Sequence, residues 1–228
     1  MKYALFWSGG KDSLLALDRA RRFGLGVHAL ANIYEGNTGR VRFHGVGKEL
    51  IAAQAEALGL ELLQGHTHPQ NFEQSFQSLL GTLKARGFGG IVFGNIHLAD
   101  IRAWYEERTK AHGFEHVEPL WGCAPESLLR EFIERGHQAR IVSVNLACGR
   151  REWLGRDFSE AFAAELERTA GVDVCGERGE YHSFAYGGPL FRKHIALEEL
   201  APPVTLDIEN HVILDIQLAR QTGIAQSA

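Results

Sequence analysis

The stretch Tyr3-Ala4-Leu5-Phe6-Trp7-Ser8-Gly9-Gly10-Lys11-Asp12-Ser13-Leu14-Leu15-Ala16-Leu17 decides the fold. Five apolar residues, paired glycines and a second apolar run read as a strand, a tight loop and a helix. Glycines let a backbone approach a ligand closely, and the first amides of the following helix present the positive end of its dipole. Lys11 adds a point charge, and Ser8 and Ser13 add hydroxyls, so the loop has the parts of a polyphosphate cradle. It is not of the Walker type, whose glycine spacing before the lysine is longer. Gly45-Val46-Gly47-Lys48 fails the same test, because Glu49 stands where a hydroxyl residue is required. The competing reading of residues 8–13 is an ordinary glycine turn that carries a lysine. Loop, lysine, acid and hydroxyls occurring together at a strand–helix junction favour phosphate.

Outward from this loop, short apolar runs at residues 3–7, 26–33, 60–64, 90–93 and 139–144 alternate with amphipathic stretches at 12–23, 48–58, 71–86, 100–112 and 125–135. That rhythm predicts an α/β fold, a parallel doubly wound sheet with helices on both faces. Ligands of such sheets sit beyond the carboxyl ends of the strands, where residues 8–13 would lie. After Asn145 the character changes. We therefore expect a nucleotide-binding domain over residues 1–145 and a smaller α+β region over 146–228 that supplies the acceptor side. In that region residues 157–170 read as a helix, and residues 204–208 and 212–218 as a hairpin turning at Glu209-Asn210-His211. Residues 221–228 are expected to fray.

The bulk numbers bound the partners. A chain of 228 residues with 45% hydrophobic residues can bury a real core, and its net charge of −4 argues against a broad nucleic-acid or membrane surface. Cys123, Cys148 and Cys175 are widely separated and form no Cys-x-x-Cys pair, which argues against a zinc ribbon, an iron–sulfur cluster or a disulfide framework. No apolar segment approaches membrane-spanning length, and the apolar start breaks at Ser8 too early for a signal peptide, so a cytoplasmic protein is expected. A homodimer is left open.

A second chemical cluster lies in Cys175-Gly176-Glu177-Arg178-Gly179-Glu180-Tyr181-His182-Ser183-Phe184, with Asp173 just upstream. Glycines would let the carboxylates of Glu177 and Glu180 converge, and Glu180 and His182 share a face if the chain is extended. Carboxylates with an imidazole suit metal coordination, acid–base work or amine capture. A solvated loop is the equal alternative on periodicity alone.

Residues 8–13 resemble the pyrophosphate loop (PP-loop) of the ATP pyrophosphatases, which split ATP between its α- and β-phosphates. Together with Phe43-His44-Gly45-Val46, Phe93-Gly94-Asn95-Ile96, Gly176-Glu177-Arg178-Gly179-Glu180-Tyr181-His182-Ser183-Phe184 and Gly188-Pro189-Leu190-Phe191, they look like the diphthine–ammonia ligase family, within the adenine nucleotide α-hydrolase superfamily and its HUP-like fold. The resemblance runs from residue 1 to about residue 191, and the Gly-Glu-x-Gly-Glu-Tyr-His segment is its most specific part. It implies an ATP-dependent ligase that adenylates a carboxylate, releases pyrophosphate and lets ammonia displace AMP. The archetypal acceptor is the diphthine of elongation factor 2 in archaea and eukaryotes.

The resemblance also implies site residues. Ser8, Gly9, Gly10, Lys11, Asp12 and Ser13 would hold ATP, with Asn32, Gly94 and Asn95 at neighbouring strand ends; Asp12 would hold Mg2+; and Lys11, Asp12, Glu177, Glu180 and His182 would carry the chemistry. Lys11 is expected to have little packing of its own. Two departures from the family pattern fall on the acceptor side, His97-Leu98-Ala99-Asp100-Ile101-Arg102 and Arg178. Asn32 could equally cap a turn at its strand end, and His66 and His68 read as an exposed pair without a third metal ligand. Two other functions remain open: an RNA-modifying enzyme that adenylates a base carbonyl, and a sensor that binds ATP or AMP without turnover.

Overall fold

The computed structural model describes residues 1–68, 70–200, 204–205 and 210–219. Strands β1 (Tyr3–Phe6), β2 (Val27–Glu35), β3 (Glu61–Thr67), β4 (Gly90–Val92) and β5 (Glu115–Val117) form one parallel sheet in the order β3-β2-β1-β4-β5. Helices α1 (Lys11–Arg22), α2 (Lys48–Leu58), α3 (Phe72–Ala85) and α4 (Ala99–Ala111) make the crossovers. The alternation of strand side chains explains why both faces are covered. Leu5, Leu30 and Val92 join the core that holds α1 and α2, whereas Ala4, Ala31 and Ile91 join the core that holds α3. The strand order reverses between β1 and β4, so the loop after β1 opens at the switch point of the sheet, where ligands of such folds bind.

After α5 (Pro125–Glu134), β6 (Gln138–Asn145) pairs antiparallel with β7 (Tyr181–Gly187) and β10 (His211–Ile213), and with β9 (Val204–Thr205) beyond β10 they form a second sheet in the order β7-β6-β10-β9. Residues 139–144 therefore do not continue the parallel sheet but lie in the antiparallel one. An apolar run specifies burial but neither partner nor direction, which is why sequence periodicity misassigns it. The fifth parallel strand is instead β5, only three residues long and too short to carry a pattern of its own.

Helix α6 (Glu160–Arg168) falls inside the stretch read as helical; the Ser159 hydroxyl caps it by accepting from the Phe162 amide at 3.2 Å. The expected C-terminal hairpin forms between β9 (Val204–Thr205) and β10, but its second arm divides: β11 (Ile216–Leu218) leaves to pair with β8 (Leu197–Glu199). The expected tail at 221–228 lies outside the described residues. Among the described residues no helix is long and apolar enough to cross a membrane.

Candidate active site

The loop at residues 8–13 is shaped by its own sequence. Gly9 sits at φ +90, and a Cβ there would lie 2.7 Å from Ile51 Cδ1, so only glycine fits. Gly10 is closed in as well: a Cβ would lie 2.9 Å from His44 Cε1 and 3.2 Å from the Ser183 carbonyl oxygen. The hydroxyls brace the turn, with Ser8 Oγ and Ser13 Oγ 3.0 Å apart and Ser13 Oγ accepting from the Ser8 amide at 3.2 Å. Gly94, two residues past the end of β4, lies against the start of α1, where a Cβ would lie 3.1 Å from the Asp12 carbonyl. Close approach at Gly94 and Gly10 leaves an opening above the loop.

The far wall of that opening comes from β7, more than 150 residues away in sequence. Ser183 Oγ accepts from the Lys11 amide at 3.1 Å, and the Ala185 amide donates to Gly9 O at 2.8 Å. Gln54 on α2 ties the two together: its Nε2 donates to Gly9 O at 2.9 Å and Ala185 O at 2.6 Å, while its Oε1 accepts from Trp7 Nε1 at 2.7 Å. Gln54 is fully buried, and the sequence carries no sign of its role, because a lone glutamine in a helix reads as surface.

The opening has two compartments. The polar one, of about 210 Å³, is lined by Ser8, Lys11, Asp12, Glu177, His182 and Ser183 among others, including Gly94 and Asn95. The apolar one, of about 300 Å³, is lined by Phe6, Ile33, Phe43, Phe72 and Tyr105, with Asn32 at its edge. Ser8, His44 and His182 face both. Asn32 Nδ2 donates to Trp7 O at 2.9 Å and its Oδ1 accepts from Gln64 at 3.2 Å, so its amide is engaged in holding strand ends. Asn95 Nδ2 donates to Glu118 Oε1 at 2.7 Å, and Glu118 in turn accompanies Arg102, whose Nε lies 3.2 Å from Glu118 Oε2. His66 and His68 stand away from this opening, exposed, with rings 6.5 Å apart.

Charge in the polar compartment is concentrated and buried. Lys11 is 3% exposed, not a free loop charge: its ammonium bonds both Asp12 carboxylate oxygens at 2.8 Å and the Cys175 carbonyl. Burial pushes the ammonium toward neutrality, but the Asp12 carboxylate more than offsets this and raises its pKa. Burial raises the Asp12 pKa, Lys11 opposes the rise, and Asp173 adds to it. Glu177 Oε1 accepts from the Ile96 amide at 3.0 Å; burial, and then the charge of Asp12, push its pKa up to about 7. His182 is driven well below its ordinary value by burial and by His44 and His211, and burial lowers His44 to about 4. Both imidazoles are neutral at pH 7.

The expected convergence of Glu177 and Glu180 does not occur. Glu180 turns into the protein, 1% exposed, and its Oε1 accepts from the Asp173 amide at 2.8 Å. Asp173 then accepts from the Cys175 amide at 2.8 Å and meets His97 Nε2 across the cleft mouth. The reason is a shift of phase: Glu180 precedes β7 and faces the turn, and the glycines at 176 and 179, at φ +69 and +87, bend the chain between the two carboxylates rather than toward one point. Of the second cluster, Glu177 and His182 reach the opening, and Glu180 supports it from behind.

The diphthamide synthase N-terminal domain model matches residues 1–116, and the diphthamide synthase C-terminal domain model matches residues 124–217. The chain belongs to the diphthamide synthase family. A diphthine–ammonia ligase of Homo sapiens is 32% identical over 222 residues, covering 87% of this chain and 83% of that protein. One from Schizosaccharomyces pombe is 27% identical over 220 residues, covering 87% of this chain and 36% of that longer protein. A solved U34-tRNA thiolase, NcsA from Methanococcus maripaludis with its [4Fe-4S] cluster, superposes at a TM-score of 0.41 with 18% identity over 59% of this chain and 57% of that one.

Proposed function

We propose that this chain is an ATP-dependent ligase that activates a carboxylate as its adenylate and converts it to an amide with ammonia, the acceptor being the diphthine named in its relatives. The observation that carries this reading is the single opening shared by residues 8–13 and by Glu177, His182 and Ser183. A phosphate loop alone could serve a sensor. A loop facing a carboxylate poised at about 7 is suited to turnover.

The apolar compartment takes the adenine and ribose, and the polar one takes the triphosphate, beside Lys11 and the turn amides. Mg2+ keeps most of its waters and usually takes one or two carboxylates plus substrate phosphates. Asp12, 29% exposed at the cleft, fits that donor set, and among the described residues no group of three or more acidic, histidine or cysteine side chains is gathered to cage a metal. Bound there, the ion would neutralise charge on the pyrophosphate leaving group.

The acceptor carboxylate oxygen attacks the α-phosphorus, and the bridging P–O bond to the β-phosphate breaks as pyrophosphate leaves. Ammonia then attacks the acyl carbon, the acyl–O bond to AMP breaks, and the nitrogen gives up its surplus proton. We assign that proton to Glu177. Neutral His182 and the buried walls exclude water and hold the reactants together, which is where most of the acceleration in such a reaction arises. Incubating the chain with Mg-ATP, ammonium and diphthine-bearing elongation factor 2, and reading the acceptor by mass spectrometry, tests the proposal. Conversion of the diphthine carboxylate to its amide is expected; an unchanged acceptor beside an active human enzyme overturns this choice of substrate.

A further inference from the structure

The connection from β2 to α2 forms a small hairpin. Val41 N donates to Val46 O at 2.8 Å, Gly45 N donates to Val41 O at 2.9 Å, and Arg40 bridges Gly47 in antiparallel fashion. Its tip carries Arg42, Phe43 and His44, which all line the apolar compartment. Phe43 adopts φ +64, a left-handed conformation that a bulky residue holds only where its surroundings over-determine it. Part of the constraint lies inside the cleft. The Phe43 ring stacks on His182 at 5.8 Å, and His44 Nδ1 lies 2.9 Å from the Ser183 carbonyl oxygen.

The rest of the constraint lies outside the cleft, on strands that touch neither compartment's floor. Gly45 sits at φ +69 with its Cα pressed against β10, where a Cβ would lie 2.4 Å from Ile213 Cδ1. Arg40 Nη2 pairs with Asp215 Oδ1 at 2.8 Å, and Arg40 Nη1 donates to Gly45 O at 2.5 Å. Asp215 is itself fixed, because its carbonyl accepts from the Leu200 amide at 2.8 Å. One guanidinium thus links the hairpin backbone to the connection between β10 and β11.

We propose that Asp215 is a positioning residue for the nucleotide: through Arg40 it holds the strained hairpin 41–46 as a preformed wall of the adenine and ribose compartment. The inference rests on the ATP reading above and extends it to a residue far from any recognisable motif. Asp215 touches no nucleotide. Its effect is to spare the bound state the cost of ordering Arg42, Phe43 and His44.

Isothermal titration of the full chain with Mg-ATP, with amide hydrogen exchange across residues 41–46, tests this directly. Asp215→Asn is expected to weaken ATP binding about tenfold through re-ordering of side chains on binding. Exchange in the hairpin should speed up, while the urea midpoint moves little because a partly exposed ion pair contributes little to global stability. Arg40→Gln, which removes the charge from the other partner, should weaken binding to a similar extent, and Arg40→Lys, which keeps the cation, should retain most of the affinity. Asp215→Asn binding ATP as the wild type does, with equal protection at 41–46, overturns the inference alone. A wild type that binds no Mg-ATP overturns the nucleotide reading and the inference with it.

Discussion

Residues 8–13 and residues 173–183 occupy one cleft and are built by opposite means. The loop is local: a strand, two close-packed glycines and a helix start set its shape within a dozen residues. The second segment is nothing by itself, since its turn is held by the Ile96 amide on Glu177, by His97 on Asp173, and by β6 along β7. Local chemistry shapes the proposed phosphate site, and tertiary structure positions the proposed base. Substitutions in the two regions should therefore fail differently.

The largest difference is expected at Lys11. Replacing it by alanine strips the loop of its cation and leaves the partly exposed Asp12 and the Cys175 carbonyl without their partner. ATP-dependent AMP release should fall by more than tenfold, and stability by about 2 kcal/mol, the cost of leaving polar groups without a partner. Chemical denaturation beside an AMP assay separates the two losses. A folded variant of unchanged stability would restore Lys11 to the role of a free loop charge.

Glu177→Gln should leave ATP binding in place and abolish the acidic limb of the pH–rate profile. Glu177 is ionised only above about 7, and a base must be ionised, so the wild-type rate should rise with pH through that value. The stability sign runs the other way: a carboxyl raised on folding loses stability as pH climbs from its ordinary range through about 7, so Glu177→Gln should be the more stable protein above pH 7. Rate and melting temperature measured between pH 5 and 9 read both signs.

Gln54→Ala breaks the tie between the regions without touching either motif. Losing the bonds to Trp7, Gly9 and Ala185 in a dry environment should cost about 3 kcal/mol and loosen ATP binding, by denaturant titration and calorimetry. Glu180→Gln sets the lower end. Its amide oxygen can still accept from Asp173, so a change within about 1 kcal/mol and an unaltered pH profile are expected. A Glu180→Gln variant that loses its acidic limb as Glu177→Gln does would make the two carboxylates equivalent after all.

These contrasts also mark what the sequence could carry. The loop, the first four parallel strands and their helices were legible because apolar period and glycine placement are local signals. The position of Glu177 and His182 at the opening was legible through the motif around them, whose glycines and charges stand close together. Glu180, in the same motif, was not: the phase at which a turn enters a strand decides which carboxylate faces the cleft, and composition does not encode phase. The sheet joined by residues 139–144 was equally silent, since an apolar run serves either direction. Gln54 and Asp215 act entirely through partners distant in sequence, so no pattern around them could have announced their part.

The measurement that bears most directly on the two-region cleft is the fate of ATP itself. Phosphorus NMR should follow Mg-ATP with the wild type and with Glu177→Gln, with and without diphthine-bearing elongation factor 2 and ammonium. The account predicts AMP and pyrophosphate from the wild type in step with amide formation, and a loss of that acceptor-dependent flux near neutral pH in the variant. ADP and inorganic phosphate as the main products, or equal flux from both proteins at every pH, would contradict it.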